Sequence, residues 1–511
     1  MQMIKNRITP AKFVRIWSLD RFWMGLSGLA VTLGLVLRAR QYLANRSLWL
    51  DEVFLALNIL DRDWSRLAEP LDYNQGAPLL FLWLEKGAVL IFGPQELSLR
   101  LVPFVAGLLA LLLCWPLARR YLSRPATALM LFMAAISGPL IYYAAEVKQY
   151  SSDVLVGLIC LAMFRHLQSR RISVILSLSY GLLGAVLVWL SHPAIFCLAG
   201  VGLLLVYHPY RRRTYGQLAL VGLMVGIWAG SFLAFYWLSL QSLTANETLQ
   251  TYWGVAFGPS LRRPFIFLRW LIQKLLNLFR YPLDLSMIGL GIFFAVLGGI
   301  ALFRRDRPGL LSLVLPLGLV LLAAIMGRYP FSGRMLLFLV PPLLILIAAG
   351  VEQAANALRQ AQLKPAIPLL IGLLLFHPVL KAVDYLAGPK LQEEIRPAIA
   401  YIYANRAAED TLYLYYASQR PYQYYQQAYG FPDMAIIKGI KSRRDWFNYL
   451  ADMDKIRRQS GRVWLLFSHV HVDSGVNEEQ LMINYLHQLG GQQLDQLQLT
   501  DASVYLYQFP D

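Results

Sequence analysis

Charge is scarce in this sequence, and acidic charge scarcer still. Only 15% of the 511 residues are charged, 57% are hydrophobic, and the mean hydropathy is +0.47. An ordinary soluble enzyme is excluded, and an integral membrane protein with many spans is expected. Cysteine is reduced to Cys114, Cys160 and Cys197, each inside an apolar run. They read as small core residues, so neither a disulfide framework nor a cysteine metal site is expected. Histidine numbers seven and never forms a His-Glu-x-x-His pattern. Short internal repeats and low-complexity tracts are lacking too.

What the sequence does have is basic charge in short clusters. Lys and Arg total 47 against 30 acids, a formal charge of +17. The clusters sit between apolar runs, which suits cytoplasmic loops facing anionic lipid and argues against nucleic acid as a partner. The basic N-terminus, with Lys5, Arg7, Lys12, Arg15 and Arg21, reads as a cytoplasmic, retained anchor. Apolar runs follow at Phe22–Leu37, Leu101–Leu117, Ala126–Tyr143, Asp153–Phe164, Ile172–Leu190 and Ala194–Tyr207. Five more lie at Leu218–Leu238, Leu283–Phe303, Leu310–Met326, Met335–Gly350 and Ala366–Val383. These make about 11 transmembrane helices. The alternate loops with Arg119-Arg120, Arg170-Arg171, Arg211-Arg212-Arg213 and Arg304-Arg305 fall inside, as the positive-inside rule requires.

A membrane domain over residues 1–385 is therefore expected, with a first outer loop at 38–100. That loop holds an apolar piece, Leu79–Phe92, carrying Glu85-Lys86 in its middle. It is short for a span and reads as an amphipathic helix on the outer face. Residues 390–511 change character. Asp410–Tyr416, Arg462–Ser468 and Ser503–Phe509 read as strands, Asp445–Arg458 and Glu478–Leu489 as helices, giving a small extracytoplasmic α/β domain.

The threading gathers unusual polar groups on the outer side. Asp51-Glu52 comes first, then Asn74-Gln75-Gly76, Glu146-Val147-Lys148-Gln149-Tyr150, Ser191-His192-Pro193, and the stretch from Arg328 to Arg334. A carboxylate pair at a membrane boundary is costly unless it meets water, a cation or a proton donor. Carboxylates suit a general base or a cation site, and Lys and Arg suit an anionic group such as a phosphate.

In this order the sequence resembles the C-type glycosyltransferases (GT-C) that use polyprenyl-phosphate sugars. The resemblance is to family 39 in the broad sense, with the protein O-mannosyltransferases and lipid A aminoarabinose transferases. It rests on Asp51-Glu52; on Ala77-Pro78-Leu79-Leu80-Phe81-Leu82-Trp83; on Pro94–Arg120; and on Leu140-Ile-Tyr-Tyr-Ala-Ala-Glu-Val-Lys-Gln-Tyr150. Arg334 to Gly350 is similar to the Arg-Tyr-hydrophobic-Pro segment near the family's end. The chain departs from the family at Gly76-Ala77-Pro78, where His-Pro-Pro or Lys-Pro-Pro is common.

The resemblance implies an inner-membrane glycosyltransferase with its site outside the cytoplasm. It would move a sugar, with inversion, from a polyprenyl-phosphate donor to a hydroxyl on lipid, glycan or protein. The absence of a Gly-rich nucleotide loop agrees with a donor activated on lipid. Asp51 is implied as general base, with Glu52 in support; Glu146 and Lys148 form a second set, Lys148 on the donor phosphate. No metal ligand set is legible, although a divalent cation at Asp51 stays open because related enzymes differ. Tyr150 reads as a substrate contact or a belt tyrosine, and His192 as a substrate contact or a turn residue. Arg328 or Arg334 reads as a phosphate ligand or a headgroup anchor; Arg38, Arg40 and Arg46 read as headgroup binders. A flippase of lipid-linked sugars and a non-catalytic envelope-assembly protein are the alternatives. His469-Val470-His471-Val472-Asp473 offers two imidazoles on one strand face but no evident third metal ligand.

Overall fold

The computed structural model describes residues 10–443, 445–459, 461–473 and 475–510. Lys5 and Arg7 of the basic N-terminus lie outside them. Each of the eleven apolar runs coincides with a helix. Among the described residues, nine helices are long and apolar enough to cross a membrane, from Asp20–Leu43 to Ala366–Ala387; a bent pair makes a tenth, and Val174–Leu190 is shorter. The protein is thus a multi-pass membrane protein.

Two local features shape the bundle. The bent pair, Arg124–Ile136 and Gly138–Ala145, turns by 58° at Ser137. Pro139 follows two residues later, and proline lacks the N–H that would continue the ladder. The carbonyls freed there are taken by Arg38, whose guanidinium donates to Ala134 O at 3.1 Å and Ala135 O at 3.4 Å. The second feature is a close helix crossing. A Cβ on Gly298 would lie 1.9 Å from Leu346 O, and one on Gly350 1.9 Å from Phe294 O, so only glycine lets Ile288–Arg305 approach Val340–Gln360 this closely.

After Ala387 the chain builds a five-stranded sheet in the order Ala435–Lys438, Thr411–Leu414, Arg462–Ser468, Ala502–Gln508, Gln492–Leu499. The first three run parallel and the last two join antiparallel. Helices Trp446–Arg457 and Glu478–Gln488 appear as expected. Strands Ala435–Lys438 and Gln492–Leu499 and helix Gln419–Tyr429 were not anticipated.

This domain is joined to the first loop of the bundle. Glu96, fully buried, accepts from Arg396 at 2.8 Å, from Tyr425 at 3.1 Å and from Tyr429. Tyr425 also takes the Leu48 N–H at 2.7 Å, and Tyr424 donates to Pro94 O at 2.9 Å. Tyr424, Tyr425 and Tyr429 thus join the domain to the first loop.

Helix Leu79–Phe92 forms as expected, but its polar pair faces inward. Glu85 is fully buried, while Leu90, Ile91 and Phe92 at the far end are exposed. Lys86 Nζ donates to the carbonyls of Ile59 at 2.8 Å and Leu60 at 3.2 Å. A cation at a helix C-terminus meets carbonyls that lack partners, which explains its inward turn.

Candidate active site

The two neighbouring acids open helix Leu50–Asp61. Carboxylates in a first turn complement the unpaired N–H groups and the positive end of the helix dipole. One residue apart on a helix, they point in different directions and do different work.

Glu52 turns into the protein and has no exposure. It accepts from Arg46 at 2.9 Å, from Arg100 Nε at 2.9 Å and Nη2 at 2.7 Å, and from the Val147 N–H at 2.8 Å. Burial opposes its charge, but Arg100 and Arg46 outweigh burial and hold its pKa low. The two arginines reach on to the carbonyls of Ala145, Arg46 and Ser47. Glu52 therefore pins three separate segments together: the first loop, the start of Leu101–Tyr121, and residues 145–147.

Asp51 faces the other way. Its Oδ1 lies 3.1 Å from Lys148 Nζ and accepts from Gln75 at 3.2 Å; its Oδ2 lies 2.8 Å from Arg334 Nη2. Lys148 Nζ donates in turn to Gln75 Oε1 at 2.6 Å. Burial alone would raise the Asp51 pKa, but Lys148 and Arg334 prevail and bring it to about 2. The Lys148 ammonium is itself pushed down, because burial outweighs the help of Asp51.

Glu146 is extended at the end of the broken helix pair, and Lys148 N–H bonds back to Glu146 O at 2.7 Å. This tight turn lets both side chains reach the Asp51–Arg334 group, which helical spacing would forbid. Glu146 Oε1 is 4.0 Å from Arg334 Nη1, and neither of its oxygens has a hydrogen bond. Burial, then the negative charge of Glu52, pushes its pKa up to about 7. The folded state therefore holds the proton that the unfolded chain releases near 4.5. The sign follows: stability falls as pH rises from about 4.5 to about 7 and levels off above. Thermal unfolding in detergent should show this fall in wild type and a flatter profile in Glu146→Gln. Parallel profiles would contradict the placement of Glu146.

Arg334 stands at the centre, its guanidinium 5.4 Å from the Tyr150 ring centre and 5.8 Å from that of Trp49. Such rings hold a cation in place without neutralising it. With Trp49 and Glu146 it lines a cavity of about 610 Å³, and Asp51 lies one contact behind that wall. The lining also carries Asp284, Lys381, Asp384 and Lys390, with Lys381 Nζ 2.5 Å from Asp284, and Tyr142, Tyr143, Tyr281 and Tyr385. A cavity of this size with both charge signs and aromatic walls suits a polar, anionic, sugar-sized ligand.

Of the residues picked out in the sequence, Asp51, Glu146, Lys148, Tyr150 and Arg334 come together. Arg328 is exposed on the turn before, so Arg334 is the arginine of the site. His192 packs on Phe235 with its Nε2 buried and unpaired, does not line the cavity, and has its pKa lowered by burial to about 4. Arg38, Arg40 and Arg46, expected at lipid headgroups, instead bond protein carbonyls and Glu52. The sequence does not single out Gln75, Arg100, Trp49, Asp284, Lys381, Asp384 and Lys390 for these roles. Arg100 falls inside the Pro94–Arg120 stretch, whose pattern does not mark it as a partner of Glu52. A divalent cation does not fit at Asp51, whose two oxygens already face Lys148 and Arg334, while Glu52 is saturated by two guanidiniums.

Residues 76–253 match the family model described as dolichyl-phosphate-mannose-protein mannosyltransferase. That span includes Arg100, Glu146 and Lys148 but not Asp51 or Arg334. No curated protein sequence matches the chain. Among solved structures, ArnT from Cupriavidus metallidurans in the apo state superposes with a TM-score of 0.51 at 15% identity, over 94% of this chain and 98% of ArnT. ArnT from the same organism bound to undecaprenyl phosphate gives 0.50 at 15% identity, with the same coverage. The chain is thus a multi-pass membrane protein that shares the ArnT fold, and about a third of it matches the mannosyltransferase family model.

Proposed function

We propose that the protein transfers a sugar from a polyprenyl-phosphate donor to an acceptor hydroxyl, at the extracytoplasmic face of the cytoplasmic membrane. The observation that carries this reading is the convergence of Lys148 and Arg334 on Asp51 beside the aromatic cavity. ArnT's complex with undecaprenyl phosphate supports the choice of carrier.

A carboxylate held at about 2 is ionised but weakly basic. The donor phosphate competes for the same two cations. As it binds, Lys148 and Arg334 turn toward it and Asp51 loses the charges that depress its pKa. Asp51 then accepts the proton of the attacking hydroxyl. The new bond forms at the anomeric carbon, the carbon–oxygen bond to phosphate breaks on the opposite face, and the product is inverted. Lys148 and Arg334 stabilise the departing polyprenyl phosphate. Neutral Glu146 adds no charge beside the phosphate; once ionised above about 7 it competes for Arg334.

Free polyprenyl phosphate should inhibit the wild type, and Arg334→Ala or Lys148→Ala should weaken that inhibition about 10- to 100-fold, the scale of one charged hydrogen bond. Unchanged inhibition in both variants would remove these cations from the donor site.

A further inference from the structure

We infer that Glu393, His469 and Asp501 form a structural zinc site that fastens the C-terminal domain to the start of the Asp51 helix. Among the described residues, this group alone brings three metal-ligating side chains within 4.8 Å of one another. The ligands come from three segments: the linker after the last span, the end of strand Arg462–Ser468, and the turn between strands Gln492–Leu499 and Ala502–Gln508.

Their carriers are already joined through the main chain. Glu394 N–H donates to Thr500 O at 2.9 Å, and His469 N–H to Asp501 O at 3.4 Å. The ligands are therefore preorganised, which lowers the ordering cost of binding. Glu393 is 1% exposed, with Oε1 2.7 Å from His469 Nδ1. Tetrahedral zinc, with bonds of roughly 2.0–2.2 Å, asks only that this pair open by about 0.7 Å and that Asp501 close in. One imidazole with two carboxylates suits zinc better than calcium or magnesium, and the exposed Asp501 side leaves room for a water as fourth ligand. The other Glu393 oxygen accepts the Leu50 N–H at 3.1 Å, one residue before Asp51. An ion on Glu393 would thus fix the helix start from the domain side. The neighbouring imidazole, His471, is not a member of the cluster, and the Asp473 side chain lies outside the described residues.

Full-length protein in detergent, stripped with chelator, should be titrated with zinc chloride by calorimetry and followed by thermal unfolding. One zinc per chain should bind and raise the unfolding temperature. His469→Ala and Asp501→Asn should each weaken binding about 100-fold or more. Asp501 has φ 51°, a conformation that asparagine adopts readily, so its variant keeps the turn and separates ligand loss from misfolding. No saturable zinc binding by wild type, or wild-type affinity in Asp501→Asn, would overturn the site.

Discussion

Asp51→Asn should cost about 10²–10⁴-fold in turnover, the range for removing a general base. Its signature should lie in kcat and not in KM. Asparagine keeps the Gln75 contact but leaves Lys148 and Arg334 without their shared anion. The donor phosphate then meets two uncompensated cations, so donor KM should stay level or fall. Protein abundance should fall less than on loss of the fully buried Glu52, because Asp51 keeps 19% side-chain exposure. Single-turnover rates with saturating donor are the measurement that checks this. A variant with full turnover would dismiss Asp51 as base, and a raised donor KM with unchanged kcat would make it a binding residue.

The neighbouring substitution should behave in the opposite way. Glu52→Gln removes the anion from two buried arginines, Arg46 and Arg100. Breaking a buried ion group from one side costs about 3–5 kcal/mol, because the charges left behind stay desolvated. The variant should accumulate poorly and unfold at lower temperature, while the molecules that do fold still bind polyprenyl phosphate. Thermal unfolding and inhibitor binding on the same preparation test both halves. Stability equal to wild type with lost turnover would make Glu52 catalytic.

These contrasting fates show what the sequence makes legible. The spans were readable because crossing a bilayer needs a long apolar run whatever the tertiary contacts are. Asp51 was readable because an acid at that boundary needs a compensating partner. Its partners were harder to see: Lys148 and Arg334 lie far along the chain, and only the turn at 146–148 and the helix ends bring them together. Glu52 looked like a helper to Asp51 because sequence adjacency hides that consecutive helical residues point apart. Its true partners, Arg46 and Arg100, looked like headgroup anchors or part of a motif.

In the C-terminal domain, strand Gln492–Leu499 escaped notice because Asp495, on its inward side, accepts the Tyr401 hydroxyl at 2.6 Å. A bulge beside it breaks the register. The alternation of apolar residues that marks a half-buried strand is thereby lost. Helix Gln419–Tyr429 is polar overall, and Tyr424 and Tyr425 are buried where Pro94, Glu96 and Leu48 of the first loop receive them.

The most direct test of sugar transfer from a lipid phosphate is product analysis with purified protein in proteoliposomes. Polyprenyl-phosphate sugars radiolabelled in the sugar would be supplied alongside candidate lipid, glycan and protein acceptors, with a nucleotide sugar as the comparison donor. The expected result is release of unlabelled polyprenyl monophosphate, matched by label in one acceptor fraction, with nothing moved from the nucleotide sugar. Transfer from the nucleotide sugar alone, or label that crosses the bilayer still attached to its lipid, would contradict the proposed reaction.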